Sequence, residues 1–202
     1  MLARGLAPAF AMLFDQDGNR KYMIEPEWRA FLAAADKADP DTRSFCWSLA
    51  RTGGRLSEVL SLTPRSFDLD NGTIRIRCLK RRAPDVFREL PLGLSFLELM
   101  EATVSVTARR IDPSLVDVPI WRWCRTTGWQ RVKHVAQRAG LPAHLCTPKA
   151  LRHTFGIEGV LMKNIPLGTM QKWMGHARIE STVIYTTAVG REERMLSTRM
   201  WV

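Results

Sequence analysis

The sequence predicts an α+β fold that is mainly helical and carries one small three-stranded antiparallel sheet. Three observations support this. Apolar residues recur at helical spacing over most of the chain. Between residues 66 and 92 the pattern changes to alternating apolar and polar positions, and Asn71-Gly72 supplies a tight-turn signal inside that stretch. A chain of 202 residues, 46% of them hydrophobic, can bury one substantial core.

The elements follow in order from these signals. A helix begins near Glu25-Pro26, because proline suits a first helical position. Asp41-Thr42 can cap a second helix, and a short third one, over 55–62, follows Gly53-Gly54 and is ended by Pro64. The predicted strands are 66–69, 73–79 and 87–92. The helices predicted after the sheet are 94–109, 129–139 (stopped by Gly140), 148–162, 166–174 and 179–189.

The chain divides into one large domain, over residues 21–190, and two tails. Residues 1–20 form an N-terminal tail, in which the polar stretch 15–19 resembles a linker. Residues 191–202 form a C-terminal tail, apolar enough to enter a groove on a neighbouring subunit. Four cysteines without a C-x-x-C pair fit reduced thiols in the cytoplasm, and they predict no metal site. No apolar run approaches membrane-spanning length.

The charge points to a polyanionic partner. Thirty Lys and Arg oppose twenty Asp and Glu, which gives a net charge of +10. Nucleic acid is the natural candidate, although a basic protein can have other uses. RNA recognition is less favoured, because no interleaved aromatic platform for stacking bases is present. Trp121 and Trp123 are instead predicted to belong to the core.

Two cationic positions could bind one anion together. Lys149 and Arg152 stand at i, i+3 on a predicted helix, so one face presents both charges. Arg55 follows two glycines, and Glu58, one turn later, could hold it in place. The alternatives are a solvated basic face for the first pair and a surface arginine at a helix start for Arg55.

The predicted hairpin is strongly basic. Arg75 and Arg77 fall on the face opposite Ile74 and Ile76, where they could lie along a phosphate backbone. The alternative is an edge strand protected by charge. The basic residues of this hairpin are Arg75, Arg77, Lys80, Arg81, Arg82 and Arg88.

Tyr185 is one of only two tyrosines, with Tyr22. On a helix it shares a face with Ser181, apart from Ile179 and Val183. Tyr185 therefore need not be a core residue; the alternative is a half-buried tyrosine whose hydroxyl has a hydrogen-bond partner.

Taken together, these segments resemble the tyrosine recombinase (phage integrase) family over about residues 21–190. The family pattern T-G-x-R-x-x-E-x-x-x-L is matched at 52–62, and its hairpin lysine falls on Lys80. The H-x-x-R-H-T-F-like segment is matched at 149–155, and the final G-H, T and Y-T positions at 175–186. Four motifs in the right order are much more specific than any one of them.

The resemblance implies a site-specific DNA recombinase that acts through a 3′-phosphotyrosine without ATP, cofactor or metal. Tyr185 would be the nucleophile and Lys80 the general acid. Arg55, Arg152 and His176 would hold the scissile phosphate. Lys149 would assist deprotonation of Tyr185 or stabilise charge, and nearby cations should favour the phenolate. The implied partners are double-stranded DNA, three further copies in a tetramer on DNA, and a helper protein or second recombinase. Arg75, Arg77, Arg81 and Arg82 are the expected DNA-binding residues.

Two departures from the family pattern matter. Lys149 stands where the family usually has histidine, and few residues precede the first predicted helix. The chain thus resembles short members that consist of the catalytic domain, such as the fimbrial-switch invertases. The alternatives are a catalytically weak or inactive DNA-binding regulator with this fold, and a type IB topoisomerase, which uses similar chemistry on one duplex.

Overall fold

The computed structural model describes residues 12–79 and 86–186, together with positions 194, 197, 198 and 200. A small three-stranded antiparallel sheet is inserted in a mainly helical domain, as predicted. The strands are β1 (Phe67–Asp68), β2 (Thr73–Arg77) and β3 (Phe87–Pro91). The α-helices are α1 (Glu25–Asp36), α2 (Pro40–Thr52), α3 (Leu56–Leu60), α4 (Leu94–Val104), α5 (Val106–Ile111), α6 (Arg125–Arg138), α7 (Pro148–Ile157), α8 (Leu167–Met174) and α9 (Glu180–Val183).

The first helices form by ordinary capping and burial of one face. Trp28, Phe31 and Ala35 bury one side of α1. The cap of α2 is Asp39, whose carboxylate accepts a hydrogen bond from the backbone N–H of Thr42 at 3.0 Å. The prediction of a cap at Asp41-Thr42 was therefore wrong by two residues. Pro40 takes the first helical position instead, because its missing N–H costs nothing there.

The sheet follows the order β1-β2-β3, and each neighbouring pair is antiparallel. Ile74 lies opposite Leu90, and Ile76 lies opposite Arg88. Since alternate residues face the same side of a strand, Arg75 and Arg77 point away from the core, as predicted. Gly72 takes a left-handed conformation in the β1–β2 turn, with φ of 60°.

Several helices differ from the predicted spans. The span 94–109 divides at Ser105, whose φ of 48° interrupts the helix. Helix α6 begins four residues before the predicted start at position 129. Its first turn, with Thr126, Thr127 and Gly128, lacks the large apolar side chains from which helical periodicity is recognised. The span 148–162 changes after α7 into a π-helical turn over Glu158–Met162. The last predicted helix ends at Val183 and continues as a 3₁₀ turn, Ile184–Thr186; residues 187–189 lie outside the described part.

Two groups of buried side chains hold the domain together. The larger joins α1, α2, α4 and α6 to the inner face of the sheet. Trp121 is buried in it, and Trp123 packs on its edge, both against Phe45. The smaller group lies under the C-terminal helices and consists of Leu13, Tyr22, Ile157, Leu161, Met170, Met174, Ile184 and Tyr185.

The predicted N-terminal tail is packed in the part that the structure describes. Leu13 is fully buried in the smaller core. The polar stretch 15–19 forms a tight turn, in which the Asp15 carboxylate accepts hydrogen bonds from the backbone N–H groups of Asp17 and Asn19. The C-terminal tail, 191–202, lies almost entirely outside the described residues. None of the described helices is long and apolar enough to cross a membrane.

Candidate active site

One cleft of about 630 Å³ gathers most of the residues that the sequence singled out. Its walls come from the start of α3, from α7 and from the C-terminal turns. Five of the six predicted catalytic residues line it: Arg55, Lys149, Arg152, His176 and Tyr185. The sixth, Lys80, lies outside the described residues, as do Arg81 and Arg82.

Arg152 connects three of the motif segments. Its guanidinium donates hydrogen bonds to the carbonyl oxygens of Gly53 and, at 2.8 Å, Met174. Both carbonyls lie at helix ends, where Gly53 and Gly175 terminate α2 and α8 in the left-handed conformation. The glycines are thus required for the turns that point two carbonyls at one arginine. Arg152 itself is held by α7, which begins after the cap residue Thr147.

Arg55 is fixed by a buried carboxylate, as the sequence suggested. Glu58 is fully buried and accepts hydrogen bonds from the backbone N–H and the guanidinium of Arg55, at 3.0 and 2.8 Å. Its other partner is Arg88, whose guanidinium lies 2.8 Å away. Burial by itself would raise the pKa of Glu58, but Arg88 and the hydrogen bonds from Arg55 outweigh it and keep that pKa below its usual value. Glu58 is therefore an anion that orients two cations.

Arg88, which the sequence places among the basic residues of the hairpin, lies on the inner face of the sheet and not with Arg75 and Arg77 on its outer face. It is 5% exposed, and it reaches under the sheet to Glu58. The alternation in β3 contained the signal, because Arg88 shares a face with the buried Leu90 and lies opposite Ile76. A charge at such a position needs a buried partner, and Glu58 provides it.

The cations of the cleft repel one another. Burial lowers the pKa of Arg152 to about 10, and the nearby positive charge of Arg55 adds to this effect. The guanidinium still carries its charge at neutral pH, so the cleft holds concentrated positive charge. An anion that enters it relieves this repulsion and pairs with guanidinium groups whose positions are already fixed.

Tyr185 is a core residue, although helical spacing did not require it to be one. It lies on the 3₁₀ turn Ile184–Thr186 and is only 1% exposed. Its ring packs on the backbone at Gly156, where an added Cβ would come within 2.6 Å of the ring. Burial raises the pKa of Tyr185 to about 12, although Arg152 and Arg55 lower it. The cations thus do not produce the phenolate in the free protein, and the hydroxyl keeps its proton.

His176 is held beside Tyr185. Its Nδ1 lies 2.8 Å from the hydroxyl oxygen of Thr182. The two aromatic rings are nearly parallel, 17° apart, with centroids separated by 6.2 Å. Burial lowers the pKa of His176 to about 3, and the positive charges of Arg152 and Arg55 act in the same direction. The imidazole is therefore neutral at physiological pH.

His153 is the residue that sequence reasoning missed, since it was noted only as part of a motif. It is 8% exposed, and its Nδ1 lies 3.3 Å from the Tyr185 hydroxyl oxygen. Burial lowers its pKa to about 4, with a further contribution from Lys149. Its spacing to Lys149, i to i+4 on α7, places both on one helical face and was the available signal.

The remaining predicted residues are more exposed. Lys149 lines the cleft with an exposed side chain. Arg75 and Arg77 lie on the outer face of β2, away from the cleft lining. The Arg75 guanidinium stacks over the Phe87 ring, 4.3 Å from its centroid.

Comparison with known proteins identifies the family. The model of the Phage integrase family matches residues 21–191. The tyrosine recombinase XerD of Vibrio cholerae is 28% identical over 175 residues, which are 82% of this chain and 56% of that protein. XerD of Pseudomonas aeruginosa is 32% identical over 177 residues, 82% of this chain and 57% of that protein.

Solved structures show the same fold. XerA recombinase superposes with a TM-score of 0.73 at 23% identity, covering 89% of this chain and 62% of that one. XerH recombinase bound to its difH substrate gives 0.69 at 22% identity, covering 93% and 60%.

The chain spans about half the length of the curated relatives it matches. The narrower resemblance to the fimbrial-switch invertases stays a prediction. Because the family model covers most of the chain, the chain belongs to the phage integrase family of tyrosine recombinases.

Proposed function

We propose that this protein cuts and rejoins DNA at specific sites through a 3′-phosphotyrosine bond to Tyr185. One observation carries the proposal: Arg55, Arg152 and Tyr185, which are far apart in sequence, line a single cleft. The charges of both guanidinium groups act on the Tyr185 hydroxyl. A phosphodiester held by the arginines would therefore lie next to the phenol.

The two arginines would bind the non-bridging oxygens of the scissile phosphate. Arg152 uses two of its five N–H groups on backbone carbonyls, which leaves three for a ligand. Arg55 is likewise held in position, in its case by the carboxylate of Glu58. Guanidinium groups that are fixed before the ligand arrives suit the charge that develops on a transferring phosphoryl group.

His176 would supply a further donor. If the Thr182 hydroxyl donates to Nδ1, the neutral ring carries its hydrogen on Nε2. That N–H can then donate to a phosphate oxygen. A neutral imidazole has only one N–H, so the contact with Thr182 would decide which nitrogen presents it.

The reaction exchanges one phosphodiester for another. The Tyr185 oxygen bonds to phosphorus, the bond from phosphorus to the 5′-oxygen breaks, and the leaving oxygen takes a proton from Lys80. A 5′-hydroxyl from a partner duplex reverses these steps, so ATP is not required. Lys149 would stabilise phosphate charge or assist in removing the Tyr185 proton.

The outer face of the sheet and the hairpin would bind DNA without taking part in the reaction. Arg75 and Arg77, with Arg81 and Arg82 of the hairpin, would contact phosphates, and the net charge of +10 would favour encounter. Recombination between two duplexes needs four active sites, so we propose a tetramer on DNA, formed in the cytoplasm with or without a helper protein or a second recombinase. The alternative function, a catalytically weak or inactive DNA-binding regulator, is favoured by one observation: Lys149 replaces the family's usual histidine.

Covalent capture from cells tests this function. Cells that express the chain are lysed in denaturant, protein–DNA adducts are isolated, and the attached DNA is sequenced. We expect adducts at a small set of sequences with the wild type and with Tyr22→Phe, the matched control, since Tyr22 is the other tyrosine. Tyr185→Phe should bind the same DNA and give no adduct. Specific binding without any wild-type adduct would instead favour the regulator.

A further inference from the structure

The buried histidine on α7 has no role in the mechanism above. His153 is 8% exposed, and its Nδ1 lies 3.3 Å from the hydroxyl oxygen of Tyr185. The phenol is itself 1% exposed, so water does not compete for this contact. Its other nitrogen, Nε2, is buried without a hydrogen-bond partner among the described residues. A buried polar atom left unpaired is costly, which suggests that the position serves more than packing.

The Tyr185 proton needs an acceptor, and the cleft offers few. No Asp or Glu is among the described residues that line it. As an ammonium, Lys149 has no lone pair to accept the proton, so it would assist its removal through its positive charge. The Nδ1 of His176 is engaged with Thr182. Among the residues that the structure describes, His153 is the neutral base with a direct contact to the phenol oxygen.

We propose that His153 accepts the Tyr185 proton as the phenol attacks the phosphate, which rests on the proposed function of Tyr185 as the nucleophile. The phenol proton moves to His153 Nδ1 as the bond between oxygen and phosphorus forms. The bond to the 5′-oxygen breaks, and that oxygen receives a separate proton from Lys80. In the rejoining step the attacking 5′-hydroxyl gives its proton to Lys80 and the imidazolium returns its proton to the Tyr185 oxygen, so each cycle is balanced.

The surroundings of His153 suit a temporary acceptor. The charged and titratable groups that act on it are Lys149 and Arg152 of its own helix, Lys21 from the N-terminal segment, and the Tyr185 hydroxyl. The three cations and burial disfavour the imidazolium in the free protein. A bound phosphodiester offsets part of that positive charge, so proton uptake becomes easier when substrate is present. The unpaired Nε2 favours return of the proton afterwards.

Single-turnover cleavage provides the test. The substrate is a nicked duplex that carries the DNA sequence recovered by covalent capture, and adduct formation is followed from pH 7 to 9. The variants are His153→Ala, which removes the contact, and His153→Asn, which keeps a hydrogen-bonding group near the Nδ1 position but cannot hold a proton. The control is His134→Ala, an exposed histidine of α6 outside the cleft lining. DNA binding is measured for each by gel shift.

We expect His153→Ala and His153→Asn to bind DNA like the wild type and to cleave about 10²-fold more slowly at pH 7. Their rates should then rise about tenfold per pH unit, because attack would depend on phenolate formed in advance, far below the pKa of Tyr185. The wild-type and His134→Ala rates should depend only weakly on pH over this range.

Any other result of the cleavage assay would overturn a specific part of the proposal. Wild-type cleavage by His153→Ala removes any role for the contact. Faster cleavage by that variant shows that the contact restrains the phenol. Wild-type cleavage by His153→Asn leaves orientation as the only role and excludes proton transfer. If the wild type forms no adduct while it binds the site, the proposed function fails before His153 is in question.

If both His153 variants misfold, the proposal can still be tested on the wild-type protein. In the ¹⁵N NMR spectrum of the free wild type, we expect the neutral form of His153 with its hydrogen on Nε2 and with Nδ1 unprotonated. A hydrogen on Nδ1 at neutral pH would mean that the imidazole donates to the phenol, which overturns the proposal.

Discussion

The cleft and the outer face of the sheet are both basic, but they hold their charges in different ways. In the cleft, Arg55 is bonded to the fully buried Glu58, and Arg152 to two backbone carbonyls. On the sheet, Arg75 and Arg77 are exposed to solvent. Fixed cations can recognise the geometry of one phosphate, whereas exposed cations attract a polyanion as a whole. Substitutions in the cleft should therefore change rates, and those on the sheet should change salt-dependent affinity.

Arg152→Lys should have the largest effect. An ammonium cannot donate to Gly53, Met174 and a phosphate in one planar arrangement. We expect the single-turnover cleavage rate to fall by about 10³-fold, on the order of 4 kcal/mol. The control is Arg131→Lys, which changes an arginine in an exposed ion pair with Asp39 outside the cleft lining. This variant should cleave at the wild-type rate. Unchanged cleavage by Arg152→Lys would remove the distinction between the two regions.

Glu58→Gln tests whether the buried ion pair contributes more to the free energy of unfolding than an exposed pair does. The substitution leaves the buried guanidinium of Arg88 without its carboxylate, which should lower the free energy of unfolding by about 3 kcal/mol. The matched control is Asp117→Asn, which breaks the exposed pair with Arg65 and should cost much less, because solvent screens that pair. Urea denaturation measures both, and equal losses would contradict the account.

Acidification should weaken the fold through the buried His153 and the half-buried His176. The pKa values of His153 and His176 lie near 4 and 3, below the ordinary 6.5. The unfolded chain therefore takes up protons first, and stability is lost as pH falls from 6.5 towards 4. Between pH 6.5 and 5 the loss should be on the order of 2 kcal/mol for His153. It should be smaller for His176, because that side chain is only half-buried and solvent screens its interactions. Equal urea midpoints at pH 7 and 5 would show that His153 is not buried as described.

Arg75→Ala and Arg77→Ala should have the smallest effects. Each removes one exposed positive charge, so the slope of log affinity against log salt should become shallower by about 1. Cleavage of bound DNA should keep its wild-type rate, because neither residue lines the cleft. Fluorescence anisotropy across a salt series, beside the single-turnover assay, measures both quantities. A large loss of cleavage rate in either variant would place the sheet within the active site.

The sequence predicted what depends on local pattern and on motif order. The sheet, most helices and the convergence of Arg55, Arg152, His176 and Tyr185 follow from periodicity, turn signals and the family resemblance. Burial of Tyr185 did not follow, because a 3₁₀ turn changes which face a residue takes after Val183. The inward position of Arg88 and the contact between His153 and Tyr185 depend on tertiary packing across 30 and 32 residues of sequence. Of these two features, only the inward position of Arg88 was indicated by the alternating pattern of β3.

Peptide mapping of the captured adduct shows which side chain is bonded to DNA. After protease digestion, mass spectrometry locates the residue that carries the nucleotide. We expect a single modified peptide, with the nucleotide attached to the Tyr185 oxygen through a 3′-phosphate. A nucleotide on Tyr22, or on any other side chain, would contradict the proposed role of Tyr185.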